Sequence, residues 1–459
     1  MKCAAFLVMS STTGVLLVAL APACTSLVGD FQIGPGGGDG SPSETGTNDA
    51  GPDMTAQDAP PDVPAPGDAP SDGPLDEDAP PPTVYNSITD NTSWSTFDIA
   101  NVGLGQISFY GAGFDGRYVY LVPNYDSSGG GGWASRVARY DTTAPFKMAS
   151  SWSSFDTSTL TANAKGYVGA TFDGRYMYFS PTYNGSFQGV ITRYDTTGTF
   201  TTGASWATFD PTTVSPSASA SLGAVFDGKY VYFVPYQQGP VLSSAASGVV
   251  MRYDIGGSFT SVASWGSFDM TTLNANAKGY EGALFDGRFI YFAPADNGMP
   301  GSIVTAYDTT KPFKVAGSWG TFDTSTIPPG NAAVGFGSAA YDGNMVYFIP
   351  AAFGGNIESV VARYNKSQIF NFGSSWTSFD TTKVDANARG YIGGAFDGRY
   401  LYLSPNQTSL GTYDGLVTRY DTQAAFTAAS WSKFDVSTLP LGPKGFAGAV
   451  FDGEFVYFV

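Results

Sequence analysis

A unit of about 55 residues recurs from residue 93 onward, each copy marked by Ser-Trp-x-x-Phe-Asp at Trp94, Trp152, Trp206, Trp265, Trp319, Trp376 and Trp431. Self-similarity at that period restricts the fold to architectures in which each unit buries a face that its neighbour leaves open. A complete copy runs in one order: SWSSFD, a linker, GYVGATFDGRYMYFSP, a variable loop, then GVITRYDTT. These runs of Val, Tyr, Phe and Ile, punctuated by Gly, Pro, Asn and Asp, are four strand signals, and no copy holds a helix-length amphipathic stretch. A composition low in charge and rich in Gly, Ser, Thr, Tyr and Phe argues the same way.

The segment FDGRYVYLVP at 114–123 shows how a copy turns. Asp-Gly between two strand-like runs is a hairpin signal, because glycine accepts the positive φ of a tight turn. The same reading covers Asp115-Gly116, Asp173-Gly174, Asp227-Gly228, Asp286-Gly287, Asp342-Gly343, Asp397-Gly398 and Asp452-Gly453. Calcium gathers six to eight oxygens and each turn offers one carboxylate, so these aspartates read as turn formers and no metal site is expected. The run YVYLVP is apolar at both parities, which requires both faces of its sheet to be covered. Radially stacked sheets meet that requirement, so the expected fold is all-β: a seven-bladed β-propeller of four-stranded blades.

Counting bears on the closure of the ring. Seven inner hairpins are present but only six segments of the Arg-Tyr-Asp type, while VYNSITDNTSWSTFD at 84–98 reads as a shortened outer pair. Residues 84–98 are therefore expected to complete the blade begun by 445–459, the N-terminal and C-terminal strands sharing one blade. Val459 is then a closing strand; a longer protein cut at that residue is the alternative. The unit resembles the kelch repeat in its strand order, its D-G turn and its Tyr-Asp and Trp marks, here FDGRYMYF, RYD and SW, over about residues 84–459. It departs from the kelch pattern in replacing the double glycine by SP, VP or AP and in a longer Tyr-to-Trp gap. The resemblance implies a propeller and says little about activity.

The net charge of -17 is unevenly distributed. Residues 25–90 hold thirteen acids and no Lys or Arg, whereas 91–459 hold 26 acids against 21 bases, about -5. A nearly balanced repeat region offers no basic footprint for nucleic acid. Histidine is absent and the two cysteines are Cys3 and Cys24, so the repeat region has no disulfide, thiol nucleophile or Cys/His metal centre. No cofactor is expected.

MKCAAFLVMSSTTGVLLVALAPAC has an early Lys, an interrupted apolar run and small residues before a cysteine, which reads as an export signal over 1–23. APAC resembles a bacterial lipobox with Cys24 as lipid acceptor, although Ala21 stands where Leu is usual and Pro22 is atypical. An ordinary A-x-A cleavage site is the alternative. The lipobox resemblance implies a cell-envelope address, with Thr25 favouring the outer membrane; a secreted or periplasmic protein is the other outcome. Residues 24–83 alternate Pro, Gly, Asp, Ala and Ser and are expected to form an extended, disordered linker. The repeat domain follows over 84–459, and the lipid would be its contact with a membrane.

Loops placed by a rigid scaffold commonly carry binding, and the second-to-third-strand loops are where the copies differ. Tyr125, Trp133, Tyr183 and Tyr236 stand in or beside them, Trp133 being the one tryptophan outside the SW series. ANAKGY, ANAKGY and ANARGY place Lys165, Lys278 and Arg389, each followed by Gly and by Tyr167, Tyr280 or Tyr391, on alternate copies. Those cations would draw an anionic group to a shared mouth; a two-unit duplication is the plain alternative. Glu281 stands in GYEGA where sister copies have Val168 and Ile392. The expected function is a binding module for a carbohydrate or a protein or peptide, acting as a monomer. The alternative is a carboxylate-dependent carbohydrate-active enzyme, hydrolase or lyase, using Glu281 with Asp126, Asp296 or Glu358, though no residue is assigned as catalytic.

Overall fold

The computed structural model describes residues 2–7, 85–186, 189–238, 245–328, 332–353 and 355–459. Cys24, residues 8–23 of the expected signal and the 24–83 linker lie outside the described residues. Among the described residues the only helical segments are short 3-10 turns, and the repeat builds antiparallel sheets in chain order.

Each copy turns between its first two strands at the Asp-Gly corner. Asp115 Oδ1 accepts the amides of Arg117 and Tyr118 at 2.9 and 2.6 Å, while its Oδ2 accepts the Tyr120 hydroxyl at 2.6 Å. Gly116 takes φ 96°, open to glycine and costly for residues with a Cβ. The arrangement returns at Asp173, Asp227, Asp342 and Asp452 with Tyr178, Tyr232, Tyr347 and Tyr457. One aspartate thus closes the turn and tethers the second strand. Its carboxylate is committed to the scaffold.

Among the described residues, six sheets are complete four-stranded antiparallel blades. Blade 1 comprises Ile107–Phe114, Tyr118–Asp126, Arg136–Asp141 and Trp152–Asp156, with the small strand Gly132–Trp133 added to its second strand. Blade 2 runs from Tyr167–Phe172 to Trp206–Phe209, blade 3 from Ser221–Phe226 to Trp265–Asp269 and blade 4 from Tyr280–Phe285 to Trp319–Asp323. Blade 5 runs from Phe336–Tyr341 to Trp376–Asp380 and blade 6 from Tyr391–Phe396 to Trp431–Asp435. The molecule is an all-β propeller. Its core lies between the sheets: Tyr120, Val137 and Phe155 of blade 1 pack on Tyr167, Met177, Phe179 and Trp206 of blade 2.

The SW and FD marks hold neighbouring blades together at the rim. Each indole stacks on the FD phenylalanine of the preceding sheet, as in Phe155–Trp206 at 4.7 Å, Phe209–Trp265 at 4.1 Å and Phe322–Trp376 at 4.5 Å. Except at Trp431, whose buried indole nitrogen has no partner among the described residues, the indole N–H donates to the carbonyl six residues upstream, as Trp206 to Phe200 and Trp265 to Phe259, both at 2.9 Å. The FD aspartate then caps a 3-10 turn: Asp156 accepts the Ser158 amide and Asp380 that of Thr382.

The expected count of seven complete blades is corrected to six. The remaining sheet joins Ala449–Phe451, Phe455–Phe458, Lys2–Leu7 and Trp94–Asp98 in that order. Residues 84–98 do not supply the expected outer pair: among the described residues of that segment only Trp94–Asp98 is a strand, and Lys2–Leu7 lies between it and Phe455–Phe458, pairing in parallel with both. The physical reason is the absent Arg-Tyr-Asp segment. Without its own third strand the sheet leaves two ladders unpaired, and any extended segment that fills the gap satisfies their backbone groups.

Candidate ligand-binding groove

Propeller topology puts the second-to-third-strand loops and the linkers into each inner strand on one face, and hydrogen bonds knit them together there. Gly166 N–H donates to the Ala134 carbonyl of the blade 1 loop at 2.8 Å, and Thr182 N–H of blade 2 donates to the Gly166 carbonyl at 3.0 Å. Gly166 has φ 69°, and a Cβ on it would lie 1.9 Å from the Tyr183 carbonyl oxygen. The glycine of the Lys-Gly-Tyr motif is therefore a junction that only glycine fits.

Above that junction three rings meet. Trp133 lies edge-on to Tyr183 at 4.8 Å and to Tyr125 at 5.6 Å, all three partly buried. Beside Trp133 opens a polar cavity of about 250 Å³ that also takes in Gln106, Asp126, Arg136 and Asp156. Asp126 accepts the Ser128 amide at 2.8 Å, and Arg136 is exposed and makes no ion pair among the described residues. Burial pushes the Asp156 carboxyl up, but hydrogen bonds from Ser158 and Ser135 and the charge of Arg136 outweigh it and hold the group below its ordinary value. The groove thus offers an aromatic edge, two carboxylates, an amide and a guanidinium within one lining. Sequence reasoning had Tyr125, Trp133, Tyr183 and Asp126; it missed Gln106, Arg136 and Asp156, which look like ordinary linker, strand and capping residues until the chain folds.

The other candidates are placed elsewhere. Tyr167, Tyr280 and Tyr391 are wholly buried, their hydroxyls bonded to Thr192, Thr305 and Thr418, and offer no surface to a ligand in this structure. Lys165, Lys278 and Arg389 are partly exposed on separate linkers, and the Arg389 guanidinium folds back onto the Ala386 carbonyl at 2.6 Å. Tyr236 is 6% exposed and packs on Val168 and Leu222.

Glu281 is the most unusual side chain of the fold. It is the extra residue of a β-bulge in the inner strand of blade 4, where pairing steps from Tyr280–Pro294 to Gly282–Ala293. A bulge re-aims the side chain it carries. Glu281 has no exposed surface, and neither carboxyl oxygen has a hydrogen-bond partner among the described residues. Burial first, and then the charge of Asp296, push its carboxyl well above the usual range. Burial also raises the Glu358 carboxyl, on the loop of blade 5.

No protein-family model matches the chain, and no curated protein matches it in sequence.

Proposed function

We propose that the protein is a binding module whose ligand is a carbohydrate held in the Trp133 groove. The observation that carries this reading is the partly buried Trp133, braced by Tyr125 and Tyr183 at the lip of a polar cavity of about 250 Å³. A sugar presents a C–H face that packs on an aromatic ring and hydroxyls that both donate and accept. Asp126, Asp156, Gln106 and Arg136 supply both kinds of partner for those hydroxyls. Few well-placed polar groups beside an aromatic wall are the usual make-up of a small-ligand site. The test is a glycan array, with titration of any hit against Trp133→Ala. A peptide array run in parallel covers the protein-ligand outcome, and no saturable glycan binding would sink the reading.

The ring is proposed to be kelch-like, with the mixed sheet closing it between blade 6 and blade 1. In support, the inner strands contact one another in cyclic order, and Ala449–Phe451 touches both Tyr391–Phe396 and Ile107–Phe114. That contact does not depend on Lys2–Leu7. Export with lipid on Cys24 is the proposed address, supported by the N-terminal sequence alone. Cleavage before Cys24 would withdraw Lys2–Leu7 from the sheet, so the lipidated chain and the sheet seen here are alternative states. The intact mass of membrane-associated protein, compared with that of Cys24→Ser, distinguishes them.

The enzyme alternative draws on Glu281, whose raised carboxyl would suit a general acid. A general acid must reach the oxygen it protonates, and Glu281 has no exposed surface. Binding is the better-supported reading.

A further inference from the structure

On the opposite face, where the Asp-Gly corners lie, five blades share one device. Their third strands carry an arginine, and in three of them the guanidinium sits between two rings. Arg139 lies 4.0 Å from the Tyr118 centroid and 4.2 Å from Phe200 of the next blade. Arg193 lies 4.1 and 4.3 Å from Tyr176 and Phe259, and Arg252 lies 3.9 and 4.3 Å from Tyr230 and Phe313. The same guanidinium donates to a tyrosine hydroxyl across the blade boundary, Tyr194, Tyr253 or Tyr307, at 3.2–3.4 Å.

Blade 4 has the slot without the cation. Ala306 replaces the arginine, and Gly320 stands where blade 1 has Ser153, which holds its Arg139 at 3.1 Å. What remains is a cavity of about 170 Å³ whose walls include Phe289, Phe370, Tyr364, Asp308, Lys311 and Asn371. Phe289, Phe370 and Tyr364 occupy the positions of Tyr118, Phe200 and Tyr194. Tyr364 still donates its proton to Gln368, at 2.8 Å, so its oxygen has acceptor capacity for a donor in the cavity.

We propose that this cavity is an arginine-reading pocket, taking the guanidinium of an arginine side chain presented on an extended peptide. A guanidinium is planar and weakly hydrated, stacks on aromatic faces, and is the group for which the same walls are built in the sister blades. The one carboxylate in the wall, Asp308, is paired with Arg288 at 2.8 Å and Lys311 at 3.5 Å; its side chain is 4% exposed against 57% and 52% for those cations, so solvent screens them more than the carboxylate and an entering guanidinium competes with exposed partners for it. Ile369 and Phe372, 65% and 58% exposed, flank the cavity residues Phe370 and Asn371 and give the peptide an apolar lip. This site is independent of the Trp133 groove.

The test is calorimetric titration of the whole chain with an acetylated, amidated Ala-Arg-Ala tripeptide, and with the same peptide carrying citrulline or lysine. Saturable binding of the arginine peptide is expected, at least about ten-fold tighter than citrulline, which keeps the shape and loses the charge. Ala306→Arg should fill the slot as in the sister blades, keep the fold and abolish binding. Phe370→Leu, which keeps an apolar wall and removes the ring face, should weaken binding by about ten-fold. Absence of saturable binding overturns the proposal, as does equal binding of the citrulline peptide or unchanged binding by folded Ala306→Arg.

Discussion

The indole of Trp94 stacks on the ring of Phe434 at 5.2 Å, carrying the rim contact from blade 6 into the mixed sheet. Phe97 of the same sheet stacks on Trp152 of blade 1 at 4.9 Å, so the series of Trp–Phe contacts passes through that sheet without interruption. Trp94 also donates its N–H to the Ile88 carbonyl at 2.9 Å and is 6% exposed. Trp94→Ala should therefore cost about 3–5 kcal/mol, the usual range for a buried Trp-to-Ala change. Trp265→Ala, in a complete blade, should cost a similar amount. Urea unfolding of both variants checks this; a near-neutral Trp94→Ala would mean that the mixed sheet is not part of the cooperative ring.

Much of this architecture was legible in the sequence because the repeated residues perform local tasks. Asp115 and Gly116 make a turn that depends on themselves and the next four residues, so seven copies could be read one at a time. The count of complete blades was less legible. It depends on what fills a vacant strand position between Trp94–Asp98 and Phe455–Phe458, and backbone pairing accepts many sequences. The groove was half legible. Trp133 broke a pattern and was visible for that reason, while Gln106 and Asp156 come to its lining from other strands and linkers. Tyr167 misled in the opposite direction: its place beside a cation suggested a surface, but the glycine between them turns the chain and sends the ring into the core.

Glu281 makes a testable demand on the pH dependence of stability. Its folded-state value lies above the unfolded one, so the folded form holds a proton that the unfolded chain releases above about pH 4.3. Its effect on stability is neutral below that pH and becomes increasingly unfavourable as pH rises toward the folded-state value. Glu281→Ile, matching Ile392 in blade 6, should gain stability over the parent progressively between about pH 4.5 and neutrality. Urea midpoints measured at several pH values check this. A constant difference across that range would show that the carboxyl stays ionised and has a partner.

The acid limb should be governed by other groups. Hydrogen bonds from Arg117 and Arg175 hold the carboxyls of Asp141 and Asp195 down to about 2. Because these values are depressed, the stabilisation is present above the unfolded value of about 3.9 and is lost as pH falls through about 2. Both arginines are 58% exposed, so the effect is modest and weakens with salt. The double variant Arg117→Gln, Arg175→Gln should flatten the fall in stability between pH 4 and 2, while 0.5 M sodium chloride should have a similar effect on the parent.

Gly166 links the scaffold to the proposed groove, and its replacement should injure both. A Cβ there would lie 1.9 Å from the Tyr183 carbonyl and 3.5 Å from the Trp133 Cβ, so the backbone that holds two of the three rings must move. Left-handed φ adds roughly 1–2 kcal/mol for alanine over glycine. Gly129 is the matched control: its φ is 59°, close to the 69° of Gly166, and nothing lies within 4 Å of an added Cβ. Gly129→Ala should show the conformational cost alone. Gly166→Ala should lose more stability than that and, because Trp133 and Tyr183 shift apart, should lower affinity for any glycan found on the array by about ten-fold. Equal melting temperatures and equal affinities for the two variants would show that the close approach at Gly166 does not position the groove.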